Sequence, residues 1–115
     1  MTTWTVPATV LRVVDGDTLE VLLDLGWHIT FKSKLRLAGV NAPEMKTSSG
    51  AAARDFTVQR LLPIDPAADP RPITVVSHSL DKYGRILGSV HWTDDDGTLH
   101  DLSTDLLAAG HAVPM

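Results

Sequence analysis

Between Ile29 and Leu37 the odd positions Ile29, Phe31, Leu35 and Leu37 are apolar, whereas the even positions Thr30, Lys32, Lys34 and Arg36 are polar. A period of two marks a strand with one buried face. The pattern predicts a strand from Trp27 to Ala38 with Arg36 on its wet face. Gly39 and Pro43 interrupt the alternation, so Asn41 and Glu44 are expected on a loop at the strand's end, within a few residues of the guanidinium. Upstream, Thr3 to Val14 is rich in Thr and Val and reads as a strand. Asp15-Gly16 then signals a two-residue hairpin, a turn that favours residues tolerating positive φ. Asp17 to Leu25 is the return strand. A further turn at Gly26 completes a three-stranded meander.

Downstream of Glu44, Ser48 or Ser49 can cap a helix from about Gly50 to Leu62, with Ala52, Phe56 and Leu62 loosely marking its apolar face. Pro63, Pro66, Pro70 and Pro72 make Pro63 to Pro72 a loop. Ile73 to His78 and Ile86 to Trp92 read as strands, separated by a turn from Ser79 to Gly84 and followed by a turn at Asp94-Asp95-Asp96-Gly97. Asp101 or Ser103 can cap a short helix through Ala109, and Gly110 can end it in the left-handed conformation. The fold class expected is mainly β with short α-helices: a five-stranded oligonucleotide-binding (OB-fold) barrel in the order β-β-β-α-β-β-α.

At 115 residues the chain has the size of one domain that needs no disulfide or structural metal to fold. The absence of cysteine excludes thiolate zinc sites and catalytic thiols. No apolar run approaches the ~18 to 20 residues of a membrane span, and no basic stretch followed by an apolar core opens the chain. A soluble, cytoplasmic protein without an obligate protein partner is the expectation. The formal net charge of -4 is the wrong sign for strong sequence-independent binding of nucleic acid. The charge is lopsided, however. Lys32 to Lys46 holds four bases and one acid, and Asp94 to Asp105 holds five acids and no Lys or Arg. One face can therefore attract phosphates.

Three short stretches carry candidate chemistry. Asp15 and Asp17 flank a glycine at a strand end, where two carboxylates can approach a hard cation. Arg36, Asn41 and Glu44 combine a base, an amide and an acid. Asp81-Lys82-Tyr83-Gly84-Arg85 sets a phenol and a second guanidinium on either side of a glycine, a set suited to a phosphodiester. Taken singly, each is also what a solvated turn looks like. His28, His78, His91, His100 and His111 lack paired metal-ligand spacing and are expected at surface or edge positions.

Val14-Asp15-Gly16-Asp17-Thr18, Leu35-Arg36-Leu37 with Asn41-Ala42-Pro43-Glu44, and Asp81-Lys82-Tyr83-Gly84-Arg85, in that order, resemble the staphylococcal nuclease (thermonuclease) family over roughly Val10 to Ala112. That family has an OB-fold barrel and contains calcium-dependent phosphodiesterases acting on DNA and RNA. The resemblance implies Ca2+ held by Asp17, Asn41 and the backbone carbonyl of Ala42, with Asp15 acting through water. It implies that Glu44 orients or deprotonates the attacking water, and that Arg36 and Arg85 clamp the scissile phosphate. Tyr83 and Lys82 would lie along the substrate. The function implied is a calcium-dependent endonuclease of low sequence specificity, the alternative being a noncatalytic OB-fold module that binds nucleic acid or protein.

Two departures carry expectations of their own. Asn41 stands where the best-known members have aspartate, which implies calcium binding in the roughly 10⁻⁴ to 10⁻³ M range. The chain stops at Met115, before the family's base-stacking tyrosine and final helix, so Trp4, Trp27 or Trp92 would have to supply stacking if exposed. Lys32 and Lys34, with Lys82, can steer substrate or simply keep a strand face soluble.

Overall fold

Thr- and Val-rich sequence, with side chains alternating between core and surface, forms β1 (Trp4–Asp15), β2 (Thr18–Asp24) and β3 (Thr30–Leu37). The computed structural model describes residues 4–62, 71–80 and 84–114. Most of the proline-rich loop, with Asp81, Lys82 and Tyr83, lies outside them. The remaining elements are β4 (Val40–Asn41), α1 (Ser48–Leu61), β5 (Pro72–Leu80), β6 (Ile86–Thr93), β7 (Leu99–Asp101), α2 (Leu102–Ala108) and β8 (Val113–Pro114). The main sheet runs β3-β2-β1-β5-β6-β7, and β3 also pairs with β6. That extra pairing, parallel from Leu35↔Ile86 to Leu37↔Gly88, closes five strands into the expected OB-fold barrel.

The barrel is filled by Val10, Val13, Leu19, Val21, Leu35, Leu37, Val75 and Val90, with Leu61, Leu102 and Leu106 contributed by the two helices. Among the described residues β3 meets β6 only from Leu35 onward, so β6 does not pair with the first half of β3. Ile29 and Phe31, expected inside from the alternation, are therefore more than half exposed. Phe31 lines an apolar cavity of about 310 Å³ with Trp4, Leu23, Leu25, Leu80 and Ile86.

Several other expectations are corrected. The strand expected from Trp27 begins at Thr30, because Gly26, Trp27 and His28 all take positive φ, of 82°, 57° and 61°. Their turn is fixed by the Gly26 N–H donating to Asp24 Oδ1 at 2.9 Å, and by the Leu25 and Ile29 backbone N–H groups donating to the carbonyls of Ile29 and Gly26. Helix α1 is capped by Thr47, whose hydroxyl accepts from the Gly50 N–H, in place of Ser48 or Ser49. It buries Gly50, Ala53, Thr57 and Leu61, not the face through Ala52 and Phe56. Two of those four are not hydrophobic, which is why apolar periodicity misplaces the face.

Helix α2 is capped as expected, with the Ser103 N–H donating to the Asp101 carboxylate and Gly110 at φ 77° beyond its end. The chain then returns as β8, which pairs with β4 through Val40↔Pro114 and Asn41↔Val113. Neither of these two-residue strands has a sequence period to read.

The acidic run from Asp94 to Asp105 is organised by a histidine. Nε2 of His100 lies 2.6 Å from Asp94 Oδ2 and Nδ1 lies 2.9 Å from Asp105 Oδ2, while its ring stacks on the buried Trp92. Two carboxylates facing both nitrogens suit the imidazolium, which alone donates from each. The hydrogen bond to Asp94, aided by Asp105, raises the His100 pKa against the smaller opposing effect of burial. Asp94 is held low by hydrogen bonds from Asp96 and His100. The stability His100 contributes is complete below its unfolded pKa and lost as pH rises through its raised folded value. Asp94 contributes above its unfolded pKa and loses that contribution as pH falls through its depressed one. His100→Gln is expected to lower the melting temperature at about pH 5.5 by more than at about pH 9, on either side of the unfolded histidine value. Equal losses at both would contradict the bridge.

Candidate active site

The β1–β2 connection is a two-residue turn of Gly16 and Asp17 between the paired Asp15 and Thr18. Gly16 is required for space, since its φ is not positive. A Cβ there would lie 2.9 Å from Ala53 Cβ of α1 and 3.0 Å from Ala42 Cβ of the loop after β4. Three segments thus meet at one glycine. The Thr57 hydroxyl donates to the Gly16 carbonyl at 3.2 Å, fastening α1 over the turn.

That packing buries Asp17, which keeps only 6% of its surface exposed. Its Oδ2 accepts the Ala42 N–H at 2.8 Å and lies 3.3 Å from Arg36 Nη2, while the Thr18 hydroxyl donates to Oδ1 at 3.2 Å. Asp15 Oδ1 accepts the Asp17 N–H at 3.1 Å. Burial pushes the Asp15 carboxyl up to about 6, reinforced by the hydrogen bond and charge of Asp17. Burial acts on Asp17 in the same direction, but it is outweighed by hydrogen bonds from Asp15 and the Ala42 N–H and by the Arg36 charge, which hold Asp17 below the usual carboxylate range. The pair therefore ionises unevenly. Asp17 is the fixed charge and Asp15 the one that titrates near neutrality.

Arg36 is not on a wet face as the alternation implies. Only 13% of its side chain is exposed, because acceptors clustered at the strand end draw the guanidinium inward. Nη1 donates to the carbonyls of Leu37 at 2.7 Å and Val40 at 2.9 Å, and Nη2 donates to Asn41 Oδ1 at 3.1 Å. Oxygens of Asp17 and Asn41 thus converge on one cationic nitrogen. An all-oxygen donor set around a positive centre is the chemistry a hard divalent cation requires. Asp17 and Asn41 supply two such oxygens and could hold such an ion as a lightly charged set. Among the described residues no three of His, Cys, Asp and Glu are grouped to hold a metal.

Glu44 lies beyond this cluster. Its side chain is 74% exposed, with Oε2 3.2 Å from Lys46 Nζ. Its backbone is better fixed, since the carbonyl accepts from the Thr47 N–H at 3.0 Å and the Thr47 hydroxyl at 2.7 Å. Gly50 makes this possible, because a Cβ there would fall 1.8 Å from the Glu44 carbonyl oxygen. Arg85 immediately precedes β6, whose Leu87 pairs with Arg36, so the parallel closure of the barrel brings both arginines to the same end. Tyr83 and Lys82 lie outside the described residues. A depression of about 190 Å³ beside Asn41, Ala42 and Pro43 is walled by Gly110 to Val113.

The structure therefore gathers Asp15, Asp17, Arg36, Asn41 and Ala42, and leaves the Glu44 carboxylate at the rim. Thr18, Thr57 and Gly50, which hold the cluster in place, have no assigned role in the sequence reading. Of these only Thr18, directly after Asp15-Gly16-Asp17, lies in a recognisable motif.

Comparison with known proteins bears on this arrangement directly. The family model described as staphylococcal nuclease homologue matches residues 34–115. An uncharacterized endonuclease of Escherichia coli is 33% identical over 85 residues, covering 74% of this chain and 48% of the relative. Protein ParB of Escherichia coli is 32% identical over 81 residues, 70% of this chain and 39% of the relative. A micrococcal nuclease of Shigella flexneri is 34% identical over 82 residues, 71% of this chain and 40% of the relative. The chain spans less than half the length of each of these relatives. With the barrel, the hairpin aspartates and the buried arginine in one place, and with these matches beside them, the chain belongs to the staphylococcal nuclease family.

Proposed function

We propose that this chain is a calcium-dependent nuclease that hydrolyses phosphodiester bonds of DNA and/or RNA with low sequence specificity. The observation that carries the reading is the convergence of Asp17 and Asn41 oxygens on Arg36 at the end of an OB-fold barrel. Family membership and relatives named as nucleases support it.

Asp17, Asn41 and the Ala42 carbonyl would hold Ca2+, with Asp15 acting through water. Bound calcium supplies positive charge to the phosphate oxygens. Arg36 and Arg85 offer planar donors to the nonbridging oxygens as their charge grows during attack by water. Glu44 would leave its exposed pair with Lys46 to orient that water and accept its proton, while a P–O bond to the water oxygen forms, the ester bond to the leaving oxygen breaks, and the leaving oxygen takes a proton from solvent. Because the metal competes with the proton on Asp15, activity should rise as pH increases through about 6.

The noncatalytic alternative, an OB-fold module that binds nucleic acid or protein, is favoured by one observation, the Glu44 carboxylate standing 74% exposed beside Lys46. Incubating denatured DNA with the protein in calcium, in chelator, and with Glu44→Ala in calcium separates the two. The nuclease reading expects digestion in the first sample alone. No digestion in any sample selects the binding module, and equal digestion in all three refutes both the calcium and the Glu44 assignments.

A further inference from the structure

The first half of β3 is a sheet edge with backbone groups to spare. On the β2 side the Leu37 N–H donates to the Asp17 carbonyl at 2.9 Å, and on the β6 side the Ala38 N–H donates to the Gly88 carbonyl at 2.8 Å. Neighbouring residues of a strand turn their backbone groups to opposite edges. Leu35, Ser33 and Phe31 therefore bond towards β2, while Arg36, Lys34, Lys32 and Thr30 turn theirs the other way. Among the described residues β6 meets that second edge only from Leu35 to Leu37, and no strand pairs there with Thr30, Lys32 or Lys34. The Lys34 carbonyl instead accepts from the hydroxyl of its neighbour Ser33 at 3.1 Å.

Apolar surface lies beside this edge. The cavity of about 310 Å³ lined by Trp4, Leu23, Phe31 and Leu80 is about twice the size that admits a benzene ring. Trp4, Phe31 and Leu80 are each more than half exposed. Large apolar side chains left around one hollow mark a surface that meets a partner. On the outer face of the sheet the charges are Arg12, Lys32 and Lys34 against Glu20 and Asp24. Glu20 is engaged by Arg12 at 2.9 Å and Lys32 at 3.6 Å, and the exposed Asp24 stands opposite Thr30, at the end away from Lys34. A strand added at this edge would thus meet lysines at Lys32 and Lys34 and an acid near Thr30. A second copy of the chain is a poor fit, since two such edges in fullest overlap set Lys32 against Lys32, and like charges directly opposite destabilise a sheet.

We propose that the β3 edge from Thr30 to Lys34 takes up an extended segment of another protein in which acidic and apolar residues alternate. The segment joins the sheet as a further strand. Its backbone bonds to Thr30, Lys32 and Lys34, its acidic side chains lie beside Lys32 and Lys34, and its apolar side chains enter the cavity past Phe31. An uncharged residue falls opposite Thr30, near Asp24. This docking edge does not rest on the nuclease reading.

The test titrates the isotope-labelled full chain with the capped peptide Glu-Val-Glu-Leu-Thr at up to millimolar concentration and follows the amide NMR signals. Saturable shifts centred on Thr30, Lys32 and Lys34 are expected. A peptide with lysine in place of both glutamates should bind about tenfold more weakly. In the chain carrying Lys32→Glu and Lys34→Glu the preference should reverse in favour of the lysine peptide, a gain that a misfolded variant does not show. In the antiparallel sense the second glutamate faces Lys32 and exchanges backbone hydrogen bonds with it, so methylating its peptide nitrogen should cost about tenfold. Methylating the leucine nitrogen, which points away from β3, should cost little. No saturable binding, equal affinities for the two peptides, or equal effects of the two methylations overturns the proposal. Self-association of the chain that the peptide cannot displace assigns the edge to a second copy and overturns it too.

Discussion

Arg36→Lys is expected to reduce cleavage of single-stranded DNA by about 10² to 10³-fold, the usual cost of losing one preset donor to the developing charge. The guanidinium sits at a junction that lysine cannot reproduce. Its two terminal nitrogens serve the carbonyls of Leu37 and Val40, the Asn41 amide and the Asp17 carboxylate together. A planar fork reaches such dispersed acceptors, whereas an ammonium is a point charge with three donors on a flexible stem. The substitution therefore leaves at least one acceptor short of a partner, at about 1 to 3 kcal/mol. It also loosens the two oxygens assigned to calcium. Initial rates measured with thermal unfolding check this: a large rate loss with a cooperative but lowered transition is expected, and unchanged turnover would remove Arg36 from the mechanism.

The second large effect is expected at a residue far less conspicuous in the sequence. Gly50→Ala places a Cβ 1.8 Å from the Glu44 carbonyl oxygen and 2.4 Å from its carbon, both backbone atoms that cannot rotate aside. Either the helix start or the Glu44 loop must shift. Alanine improves helix propensity by up to about 1 kcal/mol, but overpacking of this severity costs about 1 to 3 kcal/mol or more. Net destabilisation follows. Because displacement of a catalytic group by about 1 Å can cost roughly 10²-fold in rate, the cleavage rate should fall with the stability. Ala52→Gly, on the exposed side of the same helix, is the control. It should lose about 1 kcal/mol and keep its rate. Equal rates for Gly50→Ala and the unaltered chain would contradict the role given to this contact.

What the sequence made legible follows from which interactions are local. The β1–β2–β3 meander and the five-stranded barrel were readable because alternation acts over a few residues, although the first turn is Gly16-Asp17 and not the expected Asp15-Gly16, and Gly16 serves there by its size and not by a positive φ. Local rules mislead where a tertiary contact overrides them. Ile29 and Phe31 alternate like core residues, yet β6 does not reach far enough to cover them. Arg36 alternates like a surface residue, yet acceptors from the next turn pull it inward. The buried face of α1 passes through Gly50 and Thr57, chosen for close approach and not for hydrophobicity. His100 looked like an isolated edge histidine because its partners come from either side of β7.

The candidate site divides along the same line. Asp17, Arg36, Asn41 and Ala42 sit in short motifs whose order suggested their convergence, and the structure brings them together. The supports do not sit in those motifs. Thr57 reaches Gly16 across 41 positions, and β8 pins Asn41 from the other end of the chain. Such partners are chosen by the closed barrel, so no local pattern announces them.

Whether this cluster is a calcium-assisted phosphodiester site is tested most directly by the initial rate of cleavage of a single-stranded oligonucleotide as a function of free calcium. The predicted curve starts from no cleavage in chelator and saturates with a midpoint of roughly 10⁻⁴ to 10⁻³ M, as a site with an amide at Asn41 implies. A rate that is the same in chelator and in saturating calcium would contradict it.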